Sequence, residues 1–501
     1  MTHPSWGAKL PGRRVLARVP RAAWACAAVA LLNGLAWSLI TPPFQVPDEN
    51  AHYAYVQQLA ERGKLPHSAV PEGFFSPAED GMLATIGFYT IVGRPHDPAP
   101  FSDIKQREVE ALESRNLPRT GNGNALTATN NPPLFYALQT VPYKLAGAAG
   151  GSVLDRLAAM RVLSVLMAAA TVLLVYLFLS ELLPGSPLAC TAGALVAALQ
   201  PLFAFVSSGV NNDALLYLAA TGVLWGIARV FKRGLTPVNG SILGAFVGFG
   251  LLAKLTVLAF VPAAAAAVAI LLWRGLRRHQ PGVVRGAAWA VGLGGVPIAV
   301  YYLLNRFVWH RNTVVGGLSS VSNSTVGRHF NRLEELSHIW QLFLPNLWMR
   351  EQFPTYMPLW KTWFIGVVGR FGWLDYEFPL WLDDLALVLG IIVVVLALAE
   401  LVRRRAALVR RAAEAVVYLL VPIGLAAVIG VQSYDAVVGN GAVFEQPRYL
   451  LPLLGLYGAV VALAVRAGGR RWAPALAVAL VVLAVGHDIY GQALTVARYY
   501  A

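Results

Sequence analysis

Residues Ala22–Ile40 read AAWACAAVALLNGLAWSLI, and seven residues after Ile40 the chain presents Pro47-Asp48-Glu49. The apolar run is close to the ~20 residues that a helix needs to cross a bilayer. It is rich in Ala, Leu and Val and shows no alternating period. In lipid only helices or closed barrels keep every backbone group bonded, and the pattern here is that of a helix. Leu385–Leu401 and Ala475–Val485 are runs of the same kind. Across all 501 residues, 57% are hydrophobic and 13% charged, against roughly 45–50% and about 25% in soluble domains. Thr41-Pro42-Pro43 follows the first run without a small-residue cleavage site, so the run reads as a retained first span.

The apolar pattern predicts eleven spans near 22–40, 157–180, 187–207, 214–229, 238–253, 255–273, 286–304, 382–401, 413–432, 449–465 and 473–489. The chain is therefore expected to be an all-α polytopic membrane protein. The net charge of +14 raises the question of nucleic acid, and its distribution answers it. With the N-terminus in the cytoplasm, the inner segments hold 20 Lys/Arg and 3 acids, and the remainder holds 20 and 23. Arg13-Arg14, Lys232-Arg233, Arg277-Arg278, Arg403-Arg404-Arg405 and Arg470-Arg471 all fall on one side. That is the positive-inside asymmetry, and it points to membrane lipids as partners and away from nucleic acid. Splitting 238–273 at Lys254 keeps the basic turns on one face. An abundance of Arg over Lys and of Ala hints at a GC-rich bacterial source, hence a bacterial plasma membrane.

Two long segments are expected to face outward, 41–156 and 305–381, dividing the chain into modules 1–233 and 234–501. The second holds seven of the 14 tryptophans: Trp309, Trp340, Trp348, Trp360, Trp363, Trp373 and Trp381. These suit an aromatic belt at the interface or, alternatively, stacking on a sugar or lining a lipid groove. In the first loop, Asp48 to Arg62 predicts a short surface helix with Asp48 as N-cap and Gly63 as terminator. A second is expected over 132–145, interrupted or ended near Pro142. Cys26 and Cys190 lie in apolar runs and offer neither a disulfide framework nor metal spacing.

Several residues could carry chemistry. Asp48 and Glu49 lie just beyond the first span, where an acid either caps a helix or acts as a general base or metal ligand. His52, one turn later, is placed to assist. Asp213 follows the third span and reads equally as a solvated cap or as an acid at membrane depth, where ionisable groups point to function. Lys254 interrupts apolar sequence and can snorkel. Arg448 opens the tenth span; it suits a lipid phosphate or an interfacial anchor.

Pro47-Asp48-Glu49-Asn50-Ala51-His52-Tyr53-Ala54 after a first span resembles the P-D-E-x-x-x-Y-A signature of the GT-C superfamily of membrane glycosyltransferases, which includes aminoarabinose transferases and protein mannosyltransferases. Asn131-Pro132-Pro133-Leu134-Phe135-Tyr136 resembles their x-P-P-L-x-Y element. Ala159 to Ser164, Gln200-Pro201 through Asp213, and Gly250 to Lys254 follow in the family's order. The P-D-E-x-x-H variant and Gln446-Pro447-Arg448-Tyr449-Leu450-Leu451-Pro452 look closest to the DUF2142 group of predicted membrane proteins, with Pro447 where a glycine would be expected. The resemblance implies a GT-C-like bundle and an inverting transfer of sugar from a polyprenyl-phosphate donor to a cell-envelope lipid or glycan acceptor at the outer face. The family's first-loop acid matches Asp48 and its acid after the third span matches Asp213; the candidate catalytic residues are therefore Asp48, Glu49 and Asp213, and the candidate substrate-binding residues are His52, Asn131, Lys254 and Arg448. Asp48, Asp213 and Arg448 are expected to line one outward cavity. Convergence of the two acids within about 5–8 Å would make a divalent metal ion a cofactor to consider. No WWDYG-like motif is present, so an oligosaccharyltransferase is not expected. A transporter or lipid-linked-sugar flippase, or a non-catalytic assembly partner, would use the same buried charges.

Overall fold

The computed structural model describes residues 19–66, 74–97, 102–121, 128–310, 330–344, 360–440 and 445–500. Arg13-Arg14 and Trp348 lie outside them.

The chain opens with α1 (Arg21–Ile40), whose bounds follow the first apolar run. Helix α2 (Glu49–Arg62) comes next; Glu49 to Gln58 are all buried, so it is packed into the protein where a surface helix was expected, and it stops where Gly63 turns left-handed at φ 65°, a conformation open to glycine. Helix α3 (Leu134–Ala148) runs straight through Pro142 instead of ending there. Proline removes one backbone bond, but the buried face of α3 is anchored on both sides of it. Gln139 Nε2 donates to Ser164 Oγ at 3.0 Å, and the Tyr143 hydroxyl donates to Glu61 at 2.8 Å.

The long helix α4 (Val153–Leu182) begins in a capping box, with Ser152 and Asp155 satisfying each other's backbone N–H groups. The span expected over 187–207 is two helices, α5 (Pro187–Ala198) and α6 (Pro201–Ser207), bent by 59°. Pro201 supplies no N–H and disfavours helical geometry at the residue before it. The Gln200 side chain then caps α6 by accepting from Phe203 N at 2.5 Å. Helix α7 (Asp213–Arg233) returns through the bundle.

Next come α8 (Pro237–Ala253), a 3₁₀ turn (Leu255–Phe260), α9 (Val261–Arg277) and α10 (Val283–Phe307). A side chain on Gly240, Gly244 or Gly248 would collide with the carbonyl oxygens of Gly286, Ala290 and Leu293 respectively. The matching order of those contacts means that α8 and α10 run parallel, and the four-residue glycine spacing lets their backbones meet. Helix α9 therefore runs the opposite way, and the chain reverses at Lys254, whose backbone is extended (φ −157°, ψ 133°). The remaining long helices are α11 (Arg332–Phe343), α12 (Leu380–Arg403), α13 (Ala412–Asn440), α14 (Leu454–Ala467) and α15 (Gly469–Tyr500).

Among the described residues nine helices are long and apolar enough to cross a membrane, or ten if the bent pair α5–α6 is one span, against the eleven expected; the 17-residue α8 is a shorter apolar helix. The only strand pairing described is a two-residue ladder, Arg370–Phe371 against Tyr376–Glu377. This is an all-α multi-pass membrane protein.

The charges sort to opposite ends of the bundle. At one end Glu181 meets Lys232 at 3.0 Å and Arg229 at 4.0 Å, with Arg233 also in contact. Nearby, Glu400 pairs with Arg403, Arg404 and Arg466. The other end carries α2, α3 and the charged cluster described below. Inside the bundle, Asp488 on α15 accepts from Trp37 Nε1 at 2.9 Å and Asn33 Nδ2 at 3.2 Å on α1. A carboxyl this deep needs such partners, and here they tie the last helix to the first.

Candidate functional site

The site begins with Arg161 on α4. Its guanidinium donates to both Glu49 oxygens (Nε–Oε1 2.8 Å, Nη2–Oε2 2.6 Å) and to the carbonyls of Ser38, Thr41 and Pro42. All five of its N–H groups are used. Glu49 is fully buried and also accepts from Val210 N at 2.8 Å. This pins the turn between α1 and α2. Glu49, expected to be catalytic, is therefore committed to a structural pair and does not join the cluster; Arg161 was visible in the sequence only as part of the Ala159–Ser164 element.

Asp48 occupies the position before α2 but does not cap it. Its backbone is left-handed (φ 64°) and its side chain makes no capping bond. Asp tolerates that region better than most residues, and the geometry sends its carboxylate to Arg448 Nη2 in a direct ion pair. Arg448 Nη1 also donates to the Pro47 carbonyl at 3.3 Å. On the far side, Arg448 Nε faces Asp213 Oδ2 at 3.4 Å, and Lys254 Nζ bonds Asp213 Oδ1 at 2.6 Å. Four charges from four distant segments alternate in sign: Asp48, Arg448, Asp213, Lys254. Arg448 and Asp213 form a buried floor, while the Asp48 and Lys254 side chains remain 20% and 18% exposed. Tyr449 lies against both cations, its ring centre 5.8 Å from each. The Tyr217 hydroxyl donates to the Arg448 carbonyl at 3.3 Å. Asn211 Oδ1 accepts from Asp213 N at 2.9 Å, fixing the start of α7.

Burial works to raise the Asp48 carboxyl, but the charge and hydrogen bond of Arg448, with the charge of Lys254, outweigh it and hold Asp48 below the ordinary carboxylate range. His52 lies beside the cluster, and burial holds its imidazole down to about 3, so it is neutral at physiological pH. His52 Nδ1 lies 2.9 Å from the Tyr136 hydroxyl. The Asn131 side chain hydrogen-bonds the same hydroxyl. Tyr55 stacks on Tyr136 with ring centres 3.6 Å apart and planes 8° apart. Asn131 thus sits behind Tyr136 and His52. Tyr136, present in the sequence only as the last residue of a motif, is the member of the set that its residue type did not mark.

The two acids do converge, but a guanidinium lies between them. The four side chains carry no net charge, and among the described residues no three His, Cys, Asp or Glu converge as metal ligands. Two carboxylates already neutralised by fixed cations do not make a donor set for a dication.

Of the tryptophans in the second loop, Trp363 and Trp373 donate their indole N–H to the carbonyls of Leu342 and Phe44. Trp309, Trp340, Trp360 and Trp381 are exposed.

The fold and site define a multi-pass helical membrane protein with a buried, charge-balanced cluster at one end of its bundle. Residues 31–457 match the family described as "Predicted membrane protein (DUF2142)", and the chain belongs to that family. No curated protein matches it. Similar solved structures include the oligosaccharyltransferase of Archaeoglobus fulgidus in its apo form, at 14% identity and a TM-score of 0.43, covering 95% of this chain and 56% of that one. The same enzyme with Zn and sulfate gives 12% and 0.44, covering 95% and 53%. Its complex, as AglB, with an inhibitory peptide and a dolichol-phosphate gives 12% and 0.44, covering 95% and 56%. The chain spans little more than half the length of these neighbours, and at these values the likeness is one of general shape.

Proposed function

We propose that this protein is an inverting GT-C-type glycosyltransferase. It transfers a sugar from a polyprenyl-phosphate donor to a cell-envelope lipid or glycan acceptor at the outer face of a bacterial plasma membrane, with its N-terminus in the cytoplasm. The observation that carries this reading is the meeting of Asp48 and Asp213 with Arg448 and Lys254. Burying four ionisable groups at the end of a lipid-embedded bundle is costly, and such groups mark function by default. The cluster holds the two things that glycosyl transfer from a phosphate needs: a carboxylate to take a proton and cations to receive a leaving phosphate. The ordered motifs shared with the GT-C superfamily support the same reading.

Asp48 removes a proton from the acceptor hydroxyl or amine. The acceptor atom bonds the anomeric carbon from the face opposite the phosphate. The bond from that carbon to the phosphate oxygen breaks, and its electron pair stays with the polyprenyl phosphate. Arg448 and Lys254 stabilise that charge, Arg448 with a planar fork suited to phosphate. Asp213 holds Lys254 and Arg448 in place. His52, neutral and held by Tyr136, orients a polar group at the cluster.

Transport of a lipid-linked sugar is the competing reading, favoured by the broken helix α5–α6, since transporters use discontinuous helices at their sites. That break is closed by Gln200, whose amide bonds the Val367 carbonyl at 2.6 Å, and carries no ionisable side chain. The test uses purified protein in sealed liposomes with a panel of radiolabelled polyprenyl-phosphate sugars and envelope-lipid or glycan acceptors. A new glycosidic bond supports the transferase. Movement of substrate across the bilayer without such a bond would hand the function to transport.

A further inference from the structure

We infer that the donor phosphate enters this site by exchange, taking Arg448 away from Asp48, so that the base is released only once the donor is bound. The inference rests on the transferase reading and adds an order to it: donor first, acceptor second.

Three observations on the cluster carry it. Arg448 is the shared partner, with Nη2 on Asp48 and Nε facing Asp213. A carboxylate and a phosphodiester compete for the same fork of donors. In addition, Arg448 Nε and Asp213 Oδ2, though 3.4 Å apart, form no hydrogen bond, and both are buried without any such partner among the described residues. Arg448 Nε therefore still has a hydrogen bond to make when the guanidinium turns from Asp48 towards a phosphate oxygen. Finally, Asp48 is the exposed acid and Asp213 the buried one. The acid that can move aside is Asp48, while Asp213 stays tied to Lys254.

The charge balance works in the same direction. The empty cluster is neutral, and a phosphodiester brings one negative charge. That charge cannot share Arg448 fully with both acids, and the accessible carboxylate yields. Asp48 then loses the guanidinium that stabilises its ionised form and becomes a better proton acceptor. Without donor, Asp48 stays paired and no acceptor is activated.

The test is a double-mutant cycle on the full chain in detergent. Calorimetry measures binding of a short-chain polyprenyl monophosphate to wild type, Asp48→Asn, Arg448→Gln and the double variant. Exchange requires Asp48→Asn to tighten binding by about tenfold or more in the wild-type background and by less than about twofold when Arg448 is absent. Arg448→Lys, which keeps the charge and loses the fork, replaces Arg448→Gln if the latter does not fold. Unchanged or weaker binding in Asp48→Asn overturns the exchange. Tightening that is equal in both backgrounds overturns it too, because simple charge repulsion then suffices. Failure of every form, wild type included, to bind the lipid phosphate overturns the transferase reading itself.

Discussion

Arg448 grips the carboxylate of Asp48 across 400 residues of chain. It also faces Asp213 at 3.4 Å. One guanidinium therefore joins the acid beyond the first span to the acid that opens α7, and its geometry sets what the site can bind.

Replacing Arg448 by Lys keeps the charge and removes the bidentate fork. Turnover is expected to fall on the order of 10²-fold, as when one donor to a developing anion is lost. Steady-state kinetics would check this. The loss should fall on donor binding as well as on kcat, because the fork holds the donor phosphate and then receives the charge that grows on it in the transition state.

Glu49 and Arg161 form a buried pair whose failure should be structural. Arg161→Ala leaves a buried carboxylate without its partner, and breaking such a pair costs about 3–5 kcal/mol. Thermal unfolding in detergent should show a strongly lowered midpoint. Glu49→Gln, which removes the charge and leaves an amide, should be milder than Glu49→Ala. Equal stability across these variants would refute the role given to Arg161.

The pattern of spans was legible in the sequence because bilayer thickness and basic turns constrain it so strongly. The helix ending at Gly63 and the reversal at Lys254 follow from single-residue signals. Asp48, Asp213, Lys254 and Arg448 stood out because ionisable residues are rare beside apolar runs. The commitment of Glu49 to Arg161 was not legible, since it depends on a contact between residues 112 apart in sequence. For the same reason, nothing local distinguishes Asp48 capping α2 from Asp48 turned left-handed towards Arg448. Pro142 was misread because a proline removes one local bond, whereas the anchors that keep α3 continuous, Ser164 and Glu61, are distant. The α8–α10 contact is written plainly as Gly240, Gly244 and Gly248, but choosing its partner needs three dimensions.

Tyr136→Phe removes the hydroxyl beside His52 Nδ1 and leaves the Tyr55 stack in place. The imidazole then loses its hydrogen-bond partner at Nδ1. A loss of about 5- to 10-fold in kcat is expected, the scale of about 1 kcal/mol for one neutral hydrogen bond. The unfolding midpoint should hardly move. Asn131→Ala acts one bond further away and should have a smaller effect in the same direction.

The pH dependence of stability follows from His52. The unfolded imidazole takes up a proton near 6.5, and the buried one only near 3. Between those values the unfolded chain binds more protons, so stability falls as pH drops from about 6.5 towards 3. His338, lowered by burial to about 4, contributes in the same sense. Asp48 adds a further loss at lower pH, since its folded carboxyl is held below the ordinary value of 3.8 and its contribution disappears as pH falls through the folded value. His52→Gln should flatten part of this acid limb. Unfolding midpoints of wild type and variant between pH 7 and pH 4 would reveal it, and parallel curves would show that His52 is not neutral when folded.

The most direct measurement compares single-turnover rates of glycosidic bond formation in wild type and Asp48→Asn, with the donor that supports turnover and the acceptor saturating. A general base contributes about 10²- to 10⁴-fold. The expected result is a loss of that size in a variant that keeps its fold and still binds polyprenyl phosphate. Equal rates in the two proteins would contradict the assignment of Asp48 and, with it, the reading of this cluster as a glycosyl-transfer site.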